Sequence, residues 1–157
     1  MSCALEEKYM GDRTEVYLSI PHELRGQAEI IIGDATDEYW QEGTLAVLGY
    51  MQVDYGELPN LEYLKEAGIP YDSCWQAGGN FGAGKEACRF TPEGECIMRT
   101  IYDADLNPNI SHLNTLLNTP DILINYLKKF IENTTILPWD NQVEYGKRYK
   151  MRQLITT

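Results

Sequence analysis

Long hydrophobic runs, paired cysteine spacings and all but two histidines are missing from this 157-residue chain. No stretch approaches the ~20 consecutive apolar residues of a membrane-spanning helix. The opening residues, Met1 to Glu7, offer neither a basic start nor a hydrophobic signal core, so a cytoplasmic protein is expected. Cys3, Cys74, Cys88 and Cys96 form no CxxC pair and lie far in sequence from His22 and His112. That spacing argues against a zinc site and for free, buried thiols in a reducing compartment. A GxSxG elbow, an HExxH helix and a cysteine–histidine motif are absent as well, and Asp103 and Asp105 read as a solvated loop pair, so no catalytic set and no cofactor are expected.

Basic residues are also scarce, 13 against 24 acidic ones, for a formal net charge of −11 and a pI near 4.5. The imbalance is local. Residues 1–127 hold 21 acidic and 7 basic side chains, whereas 128–157 hold 3 and 6. Between residues 29 and 72 ten acids face a single base, Lys65. Such a field repels nucleic acid and anionic membranes and attracts basic surfaces over ~8 Å at physiological salt. Tyrosines stand beside several of these acids, and aromatic side chains with a polar tip favour interface centres. Asp34, Asp37, Glu38, Tyr39, Trp40, Glu42, Asp54, Tyr55 and Glu57 are therefore the expected partner-binding residues, and a basic protein the expected partner. Plain solubility is the competing account of the same charge.

With 43% hydrophobic residues, the chain can bury its own core as a single domain over 1–157, with 1–13 and about 137–157 as extended tails. Thr14 to Ile20 alternates as a half-buried strand. Pro21 opens a helix with Leu24, Ala28 and Ile31 on one face, stopped at Gly33-Asp34. A polar loop is expected over Ala35 to Gly43, then a strand over Thr44 to Val53 with Leu45, Val47, Met51 and Val53 in phase. A short helix covers Asn60 to Ala67 and a strand Tyr71 to Trp75. Glu86 to Thr91 and Glu95 to Tyr102 form a hairpin about Pro92-Glu93-Gly94. Ser111 caps a brief helix, and the longest helix starts at Thr119-Pro120-Asp121 with a face of Leu123, Leu127, Phe130 and Ile131. Leu137 to Thr157 reads as an edge strand or a basic tail. The order predicts an α+β fold, a mixed or antiparallel sheet of four to six strands with two or three helices packed on one face.

Gly79 to Lys85 has the GxxxxGK spacing of a phosphate-binding loop, but Glu86 stands where a hydroxyl should hold Mg²⁺, and the turn at Thr91 leaves no room for the helix that should follow. A mobile glycine-rich loop between strands is the simpler reading, with Trp75, Asn80, Phe81 and Lys85 as its contact groups.

The stretch Gly68 to Glu95 resembles a segment of small acidic accessory proteins carried by phages and plasmids, a group that includes anti-CRISPR and antirestriction inhibitors. The resemblance implies a non-enzymatic, DNA-mimic-like inhibitor that covers a basic nucleic-acid-binding surface of a host defence protein. An immunity protein neutralising a basic nuclease toxin fits the same charge. A nucleotide-binding enzyme using the Gly79–Lys85 loop is the third reading. The sequence leaves the oligomeric state open.

Overall fold

The computed structural model describes residues 12–36 and 38–157, except for the side chain of Glu38. Six strands, β1 (Arg13–Pro21), β2 (Glu38–Glu42), β3 (Leu45–Asp54), β4 (Tyr71–Trp75), β5 (Gly84–Phe90) and β6 (Cys96–Tyr102), form one sheet in the order β2-β3-β1-β4-β5-β6. Every neighbouring pair is antiparallel. Five α-helices accompany it among the described residues: α1 (Arg25–Ile32), α2 (Leu61–Glu66), α3 (Ile110–Leu116), α4 (Pro120–Thr134) and α5 (Gln142–Thr156). The protein is thus α+β with a six-stranded antiparallel sheet, as the element order predicts.

β1 carries the core-forming alternation, with Val16, Leu18 and Ile20 fully buried. Leu48 lies opposite Leu18 and Ser73 opposite it on the other side, so one sheet face gathers Ala46, Leu48, Tyr50, Tyr71, Cys88 and Phe90 against α1 and α2. In β3 the core phase is therefore 46, 48 and 50, not the expected 45, 47, 51. A β-bulge explains the difference: Thr14 opposes Val53 but Val16 opposes Tyr50, so one extra residue of β3 is accommodated where Gln52 adopts φ +57°. The bulge returns Val53 to the core.

The expected loop over Ala35 to Gly43 contains β2 instead. Its pairing with residues 45–49 of β3 satisfies the ladder, and its exposed polar side chains suit an edge strand, where charge discourages further pairing. The helix expected at Pro21 begins later, because Pro21 still pairs with Leu45 and residues 22–24 form a 3₁₀ turn first. The N-cap of α3 is Asn109, whose side chain accepts from His112 N–H at 3.1 Å, rather than Ser111. In α4, Leu123, Tyr126, Phe130 and Thr134 are half-buried while Leu127 and Ile131 are exposed, so the inward face is rotated from the expected one.

The segment 137–157 is neither edge strand nor tail. Leu137 and Trp139 meet the buried Arg89, which projects from the sheet face opposite the core. Its guanidinium donates to the carbonyls of Leu137 at 2.9 Å and Tyr71 at 3.0 Å and stacks 3.6 Å from the Trp139 ring. It also lies 2.8 Å from Asp72 Oδ1 in an ion pair whose angle is not that of a hydrogen bond. α5 then returns to the core face. Gln142, Tyr145, Gly146 and Tyr149 share one side of it at helical spacing, a pattern hidden in the sequence among Lys147, Arg148, Lys150 and Arg152. Gln142 both accepts from Phe90 N–H (2.7 Å) and donates to Phe90 C=O (3.0 Å). Tyr149 packs on the Phe90 ring at 5.0 Å. The backbones of Gly68 and Gly146 touch, a closeness only glycine permits on either side.

Candidate functional site

The helices cover the core face over β3, β1 and β4 but leave much of β5 and β6 open. There the same face continues as the floor of a cavity of about 710 Å³. Register sets the floor in rows. Ser73 opposes Glu86, and Glu86 opposes Thr100, giving a polar row across three strands. On one side of it Trp75, Gly84 and Tyr102 form an aromatic row; on the other lie Tyr71, Cys88 and Met98. The walls come from α2, through Glu62 and Lys65, from the β3–α2 turn, through Tyr55 and Glu57, and from Phe81 of the glycine-rich loop.

Glycine builds the aromatic row. A Cβ on Gly84 would lie 2.5 Å from the Trp75 ring, and one on Gly56 2.7 Å from Trp75 Cβ, so both positions admit the indole only because they lack a side chain. Trp75 meets Tyr102 edge-on at 5.9 Å and donates its ring N–H to Gly82 C=O at 2.9 Å, tying the loop to the floor. Tyr55 leans on Phe81 at 6.3 Å.

In the polar row the Tyr71 hydroxyl donates to Glu86 Oε1. Burial, and then this bond, push the Tyr71 phenol well above its ordinary range, which keeps it a neutral donor. Glu86 makes no ion pair among the described residues. Ser73 is 1% exposed, and its Oγ has no hydrogen-bond partner there. A serine without a bond to a base is not an activated nucleophile. Both histidines lie elsewhere: His22 Nε2 is 2.9 Å from the Tyr39 hydroxyl, and His112 packs on Tyr126 at 5.0 Å. Among the described residues no three His, Cys, Asp or Glu side chains gather as a metal site requires.

The acidic residues named from sequence are divided between two places. Tyr55 and Glu57 line the cavity, with Asp54 beside them in an ion pair with Arg13 at 3.0 Å. Glu42, Tyr39 and Trp40 sit on β2, whose partner residues in β3 end at Gly49, about 17 Å along the strand from Asp54. Tyr39 faces the helices, with the Arg25 guanidinium 3.5 Å over its ring, whereas Trp40 is on the opposite face, edge-on to Tyr17 at 5.6 Å. Asp34 is exposed just past α1. Asp37 and the side chain of Glu38 lie outside the described residues. Of the loop contacts, Trp75 and Phe81 line the cavity, and Asn80 donates to Asp12 at 3.0 Å. Lys85 is not in the loop. It belongs to β5 and projects from the opposite face, 3.5 Å from Asp72 Oδ2.

Sequence reasoning missed Ser73, Thr100, Tyr102, Glu62 and Tyr71 as site residues, and read Glu86 only as an obstacle to phosphate. A signal existed: in β6 the residues in phase with the core are Met98, Thr100 and Tyr102, too polar for a closed core. Comparison of the chain with protein-family models, with curated proteins and with solved structures found no match.

Proposed function

We propose that this chain is a non-enzymatic acidic binding protein that docks on the basic, nucleic-acid-binding surface of another protein and occludes it, as anti-defence inhibitors do. The observation that carries the reading is an absence of neutralisation. Of the acids between residues 29 and 72, Glu29, Asp54 and Asp72 have ion-pair partners in the fold, while Asp34, Glu42, Glu57, Glu62 and Glu66 have none among the described residues. Glu57 and Glu62 stand beside the aromatic cavity, so charge that steers and surface that anchors occur together. Of the C-terminal bases, Arg148 and Arg152 are engaged with Glu144, Glu95 and the carbonyls of Pro92 and Glu93.

The test is affinity capture from the source cell with the wild-type chain and with Glu57→Lys/Glu62→Lys/Glu66→Lys, followed by elution with duplex DNA, RNA or salt. A basic protein retained by the wild type, released by nucleic acid and lost in the triple variant supports occlusion. A host nuclease or DNA-binding complex marks an inhibitor, and a toxin encoded beside the chain marks an immunity protein. Equal capture by the folded triple variant, with no competition by nucleic acid, ends the proposal.

A further inference from the structure

We infer that the cavity over β4–β6 binds an organic cation on a short alkyl stem, an alkylammonium or alkylguanidinium group. The inference stands apart from the docking reading, since the cation can be a free amine or the side chain of a protein.

Two independent features point to this ligand. The first is charge and ring chemistry. Glu57, Glu62 and Glu86 line the cavity against one base, Lys65, and the aromatic rings of Trp75, Tyr102, Phe81 and Tyr55 surround the same space. Aromatic faces attract cations and not anions, and the attraction grows when the site is shielded from water. The second feature is the buried polar row. Ser73 Oγ is unpartnered although the residue is almost wholly buried, and it lies next to Glu86 in the ladder, with Thr100 on the other flank. A buried hydroxyl without a partner costs free energy, and Ser73 is part of the cavity lining. Tyr71 occupies Glu86 Oε1 as a donor and holds the carboxylate in place, leaving Oε2 to accept.

Acceptors on Ser73, Glu86 and Thr100 match the three N–H donors of an ammonium or the planar fork of a guanidinium. An anionic ligand would meet three carboxylates. A neutral apolar ligand would leave the polar row unsatisfied. The cavity is within the usual size of small-molecule sites and far larger than one side chain, so the stem and the groups beyond it lie against Met98, Trp75 and Tyr102.

The experiment titrates the full chain with n-butylguanidinium and n-butylammonium, with neutral n-butanol as control and acetyl-Gly-Arg-Gly-amide as the protein-borne form. Indole N–H resonances are followed by NMR. Saturable binding in about the millimolar range is expected for either cation, as befits a ligand of few atoms. The Trp75 resonance should move and those of Trp40 and Trp139 should not. Glu86→Gln should weaken binding about tenfold, the order of one charge-assisted hydrogen bond. Tyr102→Leu, at a half-exposed position that spares the core, should weaken it severalfold. Glu42→Gln should change nothing. A peptide binding at least as well as the free cation assigns the site to a basic side chain of a partner; a cation binding without the peptide assigns it to a free amine. Absence of saturable binding by both cations overturns the inference, as does equal binding of butanol or an unchanged affinity in Glu86→Gln and Tyr102→Leu. Failure of the docking experiment with cations still bound would leave this site standing, and the reverse holds equally.

Discussion

Replacing Gly146 by alanine sets two effects of opposite sign against each other. In the interior of a helix such as α5, alanine is favoured over glycine by about 1 kcal/mol, so propensity alone predicts a more stable protein. The packing predicts the reverse. A Cβ at 146 would lie 1.9 Å from the Gly68 carbonyl oxygen, where carbon and oxygen need about 3.3 Å, so α5 must back away by about 1.4 Å. Such overpacking costs about 1–3 kcal/mol, and the shift also lengthens the paired Gln142–Phe90 hydrogen bonds, each contributing about 1 kcal/mol. Steric cost wins, with a net loss of about 2 kcal/mol, or roughly 4–8 °C in Tm for a chain of this size. Urea and thermal unfolding measure it directly. Gly26→Ala is the control, because a Cβ there meets nothing within 4 Å in the first turn of α1, and it should stabilise by about 0.5 kcal/mol. If Gly146→Ala stabilised the protein as Gly26→Ala does, the docking of α5 described here would be wrong.

Three further outcomes are expected. Arg89→Met strips the buried Asp72 of its closest cation and leaves only Lys85 at 3.5 Å, so denaturation should show a loss near 3 kcal/mol, partly restored by adding Asp72→Asn. Burial pushes the Tyr50 phenol, which donates to Gly33 C=O, from 10.0 up to about 12. The folded state therefore holds its proton longer than the unfolded state, and stability should be full below pH 10 and fall as pH rises toward 12, with a shallower fall in Tyr50→Phe. Cys88 and Cys96 lie with their sulfurs 3.7 Å apart; the hydrogen bond they share lowers the Cys96 thiol pKa, while that bond and burial raise the Cys88 value, and Cys88 is fully buried, so mass spectrometry should find iodoacetamide on Cys96 before Cys88.

Local pattern was enough for β1, one face of which is wholly apolar, and for a hairpin with a strong turn signal. β1 and the β5–β6 hairpin are visible because alternation and the turn at Pro92–Gly94 act within a few residues. β2 was not visible, since a solvated edge strand needs no apolar phase; it is held by backbone pairing to β3, which composition does not encode. The phase of β3 was obscured by a bulge that shifts it by one residue. α5 was obscured because its buried stripe is Gln, Tyr, Gly and Tyr, residues whose value lies in fitting Phe90 and Gly68. The site suffered from the same limitation. Tyr55, Glu57, Trp75 and Phe81 stood out by composition, but Ser73, Glu86 and Thr100 become a unit only through strand register across three strands.

The strand order has a consequence for biogenesis. β1 lies between β3 and β4, so its partners are from 24 residues away, Pro21 with Leu45, to 59 residues away, Val16 with Trp75. The outer hairpins β2–β3 and β5–β6 can close on themselves as they leave the ribosome, through short turns. β1 emerges before all of them and has no neighbour to pair with until β3 is made, and no second neighbour until β4 is made. During that interval Val16, Leu18 and Ile20 face water on a strand with open edges, which is when a nascent chain most needs a chaperone. The wait ends at β4, one edge of which closes on β1 while the other takes up β5, and whose core face supplies Ser73 and Trp75 to the cavity floor. Completing the sheet and forming the cavity floor are consequently the same late event.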